Sequence, residues 1–305
     1  MSENSAATRF GASVQAAVAT VLFFIAIYFS IIAPISEDYF GLNIAFGLPL
    51  GVRASLAAIC GIVAAVFLLI VDDPHGRARR GSILIGAGVV LLFLGSYWGL
   101  FIAPPEEFMG QTQRIMYVHV PTAWNALLAI TFGFGCAIAF LFKSDFKFDS
   151  YLEASIEVGV LFGFLLCCQG AIWAKPTWGV WWDWDPRLTT TAVLVFAFLG
   201  ILALRNFVED PVKRAIWSSV ATIIAYVDVP IVYFSVKWWN SLHQQQSTPN
   251  TVSSVFHIPL RLNSFAILFL MTGFIMLRAR VAALRLSHEI APPPVLSAEE
   301  VGELA

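Results

Sequence analysis

The sequence predicts an all-α polytopic membrane protein of about eight transmembrane helices, on three observations. Hydrophobic residues make up 58% of the chain and charged residues only 12%, against roughly half and a quarter in an ordinary globular domain. The apolar residues gather into eight runs, each near the ~20 residues that cross a ~30 Å hydrocarbon core. None of the runs shows the period-two alternation of a membrane barrel, and helices satisfy their own backbone hydrogen bonds in lipid.

Charge, proline or polar clusters bound each run. The first four are expected at about 12–32, 54–71, 82–103 and 118–142, and the rest at about 156–174, 189–204, 216–236 and 260–277. The predicted domain plan is two N-terminal helices (1–81), a six-helix core (82–286) with a tryptophan-rich connection (175–189), and a disordered tail (287–305). The tail reads APPPVLSAEEVGELA at its end, too proline-rich and acidic to bury a core.

Lys and Arg are in excess in cytoplasmic loops. With the N-terminus inside, twelve fall there: Arg9, Arg77, Arg79, Arg80, Lys143, Lys147, Arg205, Lys213, Arg214, Arg278, Arg280 and Arg285. The other face receives six, namely Arg53, Arg114, Lys175, Arg187, Lys237 and Arg261. Both termini are therefore expected in the cytoplasm, and the tryptophan connection on the periplasmic side of a bacterial inner membrane. The first run is too long for a signal peptide, and AFG after Asn43 is a poor cleavage site. A net charge of −2 argues against nucleic acid as a partner. Cys60, Cys136, Cys167 and Cys168 all fall inside predicted helices, read as packing residues, and no C-x-x-C-H haem-attachment motif occurs. The two halves share no repeat, which weighs against an inverted-repeat transporter.

Three outer connections carry the polar chemistry. The first brings His119, just before Pro121; the second is AKPTWGVWWDWDPRLT; the third brings His243, one helical turn after Trp238 and Trp239, and later His257. His75 and His288 fall on the opposite side. Trp178, Trp181, Trp182 and Trp184 lie within seven residues. Interfacial belts use one or two rings per helix end, so this density, beside Asp183, Asp185 and Arg187, reads as a platform for a flat apolar ligand. Haem has such a face, anionic propionates, and an iron that takes neutral imidazole. Indoles would cover the ring, His119 and His243 would approach the iron from opposite faces, and Lys175, Arg187, Arg114 or Arg261 would pair with propionates. Met109 and Met116 are alternative soft ligands. Residues alone leave open a tetrapyrrole or another flat ligand.

The stretches RIMYVHVPTAW (114–124), GAIWAKPTWGVWWDWDPRLTT (170–190) and VPIVYFSVKWWNSLHQ (229–244) resemble the CcmC family of haem-handling membrane proteins of cytochrome c maturation. The resemblance covers about 82–286. It implies six helices, a periplasmic "WWD" loop that binds haem, and two flanking histidines as axial ligands. On this sequence these are His119 and His243, with Trp178, Gly179, Trp181, Trp182, Trp184 and Asp185 as the platform and Arg187 beside it. It further implies haem b as a transiently bound substrate delivered to the periplasmic haem chaperone CcmE, alongside the ABC transporter subunits CcmA and CcmB and the small protein CcmD. No catalysis is implied. Two departures stand out: the pair of additional N-terminal helices, and the acidic Asp183. Asp228, an acid inside the seventh run beside Pro230, is also unusual, since buried acids in membranes are costly.

Two other classes compete. A cytochrome c synthase of the CcsA type shares a tryptophan-rich haem loop but continues it as WDPKE rather than WDPRLT, and tends to be larger. An electron-carrying membrane cytochrome usually places its paired histidines inside helices, whereas these lie at helix ends or in loops.

Overall fold

The structure, a computed structural model, describes residues 2–33, 47–71, 74–246 and 252–290. The segment of the expected tail from 291 onward, and Ala45 and Phe46 of the AFG following Asn43, lie outside the described residues. No strand occurs among the described residues, only one isolated bridge between Glu106 and Gly110.

All eight expected runs are helices long and apolar enough to cross a membrane. The chain is an all-α polytopic membrane protein. In order, the α-helices are α1 (Ser2–Ile27), α2 (Leu50–Ile70), α3 (Pro74–Tyr97), α4 (Met116–Lys143), α5 (Phe146–Trp178), α6 (Pro186–Phe207), α7 (Pro211–Ala225), α8 (Asp228–Trp238) and α9 (His257–Ile290). α1 and α3 each finish in a π-helical turn, Tyr28–Ile32 and Trp98–Ile102.

Three boundaries differ from the sequence reading, each for a local reason. The seventh run is two helices: the chain turns at Tyr226–Val227 between α7 and α8. Pro230 has no N–H to give the Tyr226 carbonyl, which accepts from Val229 instead (3.0 Å). Asp228 therefore opens α8 rather than sitting mid-helix. α5 and α9 run well past their apolar windows, because their ends away from the tryptophan connection are held by ion pairs that hydropathy does not register. α9 accordingly reaches Ile290, into the segment expected as tail.

α9 is the central helix, packed against α3 along most of its length and also against α4 and α5. The approach to α3 is close because small residues face each other at seven-residue spacing, as is common where membrane helices meet. A Cβ built on Gly88 would stand 2.9 Å from the Ala266 carbonyl oxygen, and one on Gly95 would collide with Asn263 Oδ1. α1 packs along α2, and both reach α9. On the outward faces, large side chains such as Phe93, Phe164 and Phe196 are exposed, as lipid contact requires. Alternation of the spans puts the α1–α2, α3–α4, α5–α6 and α8–α9 connections at one end of the bundle.

Charge concentrates at the other end. Arg205, 6% exposed, meets Asp149 (2.7 Å) and Glu153 (2.7 Å) and donates to Ser218 Oγ (2.7 Å). Arg285 reaches Glu153 (3.0 Å), Arg278 reaches Glu157 (2.5 Å), and Arg214 pairs with Glu289. These pairs join α5, α6, α7 and α9. Their worth lies in register, since desolvation offsets much of the attraction of a buried pair.

Gly88→Ala is expected to destabilise the detergent-solubilised protein by about 1–3 kcal/mol, because backbone must shift to admit the methyl group. Gly86→Ala, where nothing lies within 4 Å of the added carbon, is expected to be neutral, and thermal unfolding of the two variants compares them directly.

Candidate ligand site

The three connections singled out in the sequence meet around one cavity of about 280 Å³. It lies between the ends of α4, α5, α6 and α8 and extends several turns into the bundle. His119 enters from the first turn of α4, and Met116, Ala123, Ala126 and Ile130 continue the same face. Arg187, Thr191, Leu194 and Val195 line it from α6, and Gly163, Cys167, Gly170 and Trp173 from α5. Spacings of three, four and seven put each set on one helix face. The glycines and alanines among them leave the space.

The tryptophan loop opens at Gly179, which takes a left-handed conformation (φ +80°) and ends α5 with its N–H on the Lys175 carbonyl (3.1 Å). A side chain is strained at that φ. Pro176 lies within α5, and Pro186 begins α6, occupying the first turn where its missing N–H costs nothing. Trp178 and Trp182 line the cavity. Trp178 packs edge-on to Trp173 (5.1 Å between centroids), and Trp182 packs edge-on to Trp184 (6.0 Å). Trp181 and Trp184 do not line the cavity and are 58% and 77% exposed, facing outward above it.

Asp185, 4% exposed, is outside the cavity lining. Its carboxylate caps α6 by accepting from Arg187 N–H (2.8 Å), and it also accepts from Ser241 Oγ–H (3.0 Å) and Leu242 N–H (2.7 Å). Ser241 Oγ in turn accepts from His243 N–H (3.1 Å). One carboxylate thus ties the tryptophan connection to the one that carries His243, two residues from the histidine. His243 is not on a helical turn after Trp239: α8 ends at Trp238, and Trp239 is extended. Its position depends on Asp185 and on Gln246, which donates to the Tyr233 carbonyl.

Both histidines line the cavity. His243 Nδ1 lies 2.7 Å from the Gln244 carbonyl. That contact requires Nδ1–H and leaves Nε2 with a lone pair. Burial, with Arg187 nearby, holds the His243 pKa below its ordinary value, so the neutral, ligating form prevails at physiological pH. His119 Nδ1 and Arg187 Nη1 are buried against the cavity with no hydrogen-bond partner. A buried guanidinium N–H without an acceptor is costly, and an anionic group in the cavity would supply one. Imidazole nitrogens, aromatic walls and a waiting cation together fit a flat, metal-bearing, carboxylate-bearing ligand.

Among the other basic candidates, Lys175 donates to the Gly179 carbonyl (2.8 Å), and Arg114 to Gln111 Oε1 and to the Gly99 carbonyl. Arg261 donates to the Ser30 carbonyl (2.8 Å) and lines a different cavity together with His257. Arg187 is the one of the four that lines the histidine cavity. Met116 lines it and Met109 does not. Asp183 is exposed. All four cysteines are free, and Cys167 lines the cavity. Trp173, Tyr233 and Gln244–Gln246 line the cavity but were not among the residues expected there. The available signal was the glycine pair Gly163 and Gly170, seven residues apart, the second one helical turn before Trp173.

A family model described as Heme exporter protein C matches residues 77–291. The chain belongs to the heme exporter protein C family. Curated relatives agree with this. The chain is 37% identical over 202 residues to Heme exporter protein C of Haemophilus influenzae, covering 65% of this chain and 82% of that protein. It is 32% identical over 196 residues to Heme exporter protein C of Escherichia coli K12, covering 64% and 80%. A putative cytochrome c biosynthesis ccmC-like mitochondrial protein of Marchantia polymorpha is 34% identical over 206 residues, covering 66% and 87%. The family match starts after α2, so α1 and α2 precede it, while the cavity lies wholly within it.

Asp185→Ala is expected to free the 239–246 loop, since it removes a helix cap worth ~1 kcal/mol and two charge-assisted bonds of ~1.5–3 kcal/mol each. Ser241→Ala should do so more weakly, and Asp185→Asn should fall between. Hydrogen exchange at Leu242 and His243 N–H reads the order; equal protection in all three would refute the tie.

Proposed function

We propose that this protein binds haem b transiently between His119 and His243, at the periplasmic face of a bacterial inner membrane, and delivers it to a periplasmic haem chaperone of the CcmE type during c-type cytochrome biogenesis. The observation that carries the reading is the convergence on one cavity of two imidazoles, the indoles of Trp178 and Trp182, and the partnerless Nη1 of Arg187. Family membership supports it.

Haem is cargo here. His119 and His243 hold the iron axially, and both are neutral when they do so. Trp178 and Trp182 cover the ring, Arg187 takes a propionate, and Gly179 and Asp185 shape and tether the loop that carries them. Drug-sized ligands usually fill cavities of roughly 300–1,000 Å³ and bury most of their surface. A cavity of about 280 Å³ at the loop end holds a porphyrin by part of its surface only, leaving an edge toward the periplasm where Trp181 and Trp184 stand exposed. Partial enclosure suits transfer, because a ligand that must leave cannot be walled in. No residue is assigned a catalytic role. The ABC subunits CcmA and CcmB and the small protein CcmD are the proposed membrane partners, both termini are cytoplasmic, and α1–α2 form an addition to the six-helix core.

In protein purified from haem-replete cells, His119→Ala and His243→Ala are each expected to shift the absorption bands of bound haem, and Arg187→Gln to speed haem loss without changing ligation. His257→Ala is expected to leave the spectrum unchanged, since His257 Nε2 is engaged with the Val252 carbonyl (2.9 Å) beside another cavity. Unaltered bands in both outer variants, or a His257 effect equal to that of His243, would overturn the axial assignment. Transfer of the haem to added chaperone separates delivery from electron transfer, and absence of haem attachment to a C-x-x-C-H peptide separates it from a synthase.

A further inference from the structure

A second cavity, of about 580 Å³, lies beside the first and is larger. Its walls come from α2 (Ala54 to Ile62), α4 (Trp124 to Thr131) and α9 (His257 to Leu268), with Ser30 of the π-helical turn after α1. The two N-terminal helices, which precede the family match, therefore build one side of it. Trp124 and Leu127 line both cavities, so a partition one side chain thick separates them.

The shape limits the occupant. At 1.5 Å rise per residue, the α2 and α4 walls run about 10–12 Å and the α9 wall about 16 Å along the membrane normal, so the depth enclosed on all three sides is set by the shorter two. An acyl chain needs the ~15 Å of one leaflet, more than this enclosed depth, whereas a porphyrin ring is about as deep as the α2 and α4 walls. The walls are mostly Ala, Leu, Ile, Phe and Gly, suited to a flat apolar face. At the end shared with the tryptophan loop stand Arg261, a permanent cation, and His257, 6% exposed, whose Nδ1 is 3.5 Å from Arg261 Nη2. A carboxylate-bearing edge would face that end.

We infer that this chamber is a second porphyrin site, a holding position from which haem passes the Trp124–Leu127 partition to the histidine cavity. The inference rests on the proposed function for the identity of the cargo, and it assigns α1 and α2 a role, that of widening the bundle into a lateral entry from the membrane. Passage leaves every bond of the porphyrin intact and only adds Fe–N coordination on arrival. Haem leaves the chamber without an imidazole ligand and gains two at His119 and His243, which makes the movement directional.

The test titrates the purified full chain with hemin, and separately with metal-free protoporphyrin IX and its dimethyl ester. Two equivalents of hemin are expected for the wild type. Ala58→Trp and, independently, Ala54→Trp fill the chamber and should reduce this to one while leaving the histidine-ligated spectrum unchanged. Protoporphyrin IX needs no axial ligand and should still bind when His119 and His243 are both alanine. Arg261→Gln should weaken it about tenfold, and the dimethyl ester should not sense that substitution. A single equivalent in the wild type, or a second equivalent untouched by both tryptophan variants, would overturn the chamber. So would a co-purified phospholipid that Ala58→Trp removes while hemin stoichiometry stays the same. A spectrum indifferent to His119 and His243 would instead overturn the first site, whatever the chamber does.

Discussion

The site depends on one carboxylate. Asp185 accepts hydrogen bonds from the start of α6 and from Ser241 and Leu242 in the α8–α9 connection, and thereby fixes where His243 stands relative to the tryptophan loop. Residues 179–185 and 239–246 have no regular structure to hold them: Gly179 ends one helix, and Trp239 is extended after another. Buried at 4% exposure, the carboxylate commits its lone pairs to donors from two segments more than fifty residues apart. Such charge-assisted bonds are about twice as strong as neutral ones. A loop that must present aromatic surface to an entering ligand needs an anchor that the ligand does not compete for, and an acid turned away from the cavity is one.

The rest of the fold divides labour between its two ends. The ion pairs of Arg205, Arg278, Arg214 and Arg285 with α5 and α9 acids hold the register of the helices at the end opposite the site. The small-residue seam between α3 and α9 holds them together in the middle. Apolar packing gives little preference between helix–helix and helix–lipid contact in a bilayer, so close backbone approach and polar ties decide register. With register set there, α4, α5 and α6 can diverge toward the loop end and leave a cavity without the bundle coming apart.

The break between α7 and α8 belongs to the same plan. Pro230 removes one helical bond, and the chain restarts at Asp228 as an eleven-residue helix that carries Tyr233 to the cavity. A continuous helix through this point would bring the third connection out at a different angle. Asp228 Oδ2 is buried without a partner, and nothing in the structure explains its retention beyond its place in the first turn of α8, where a negative charge is favoured by the helix dipole.

The sequence by itself determined the class, the number of spans and the three connections that matter. Apolar runs of membrane length, and tryptophans too dense for a belt, are local properties readable from composition and spacing. His119 and His243 were legible because each sits at the edge of such a run. Tertiary structure alone decided the roles within the group. Asp185, adjacent to the tryptophans in sequence, turns inward as a tether. Trp173, outside the motif's densest part, turns into the cavity, and Trp181 and Trp184 turn out of it. His257 and Arg261 went to a different cavity altogether. Side-chain direction in an irregular loop depends on hydrogen bonds to distant segments, as Asp185 to Ser241 shows. The second cavity exists only because α2 lies against α9, a pairing of residues far apart along the chain that no local pattern encodes.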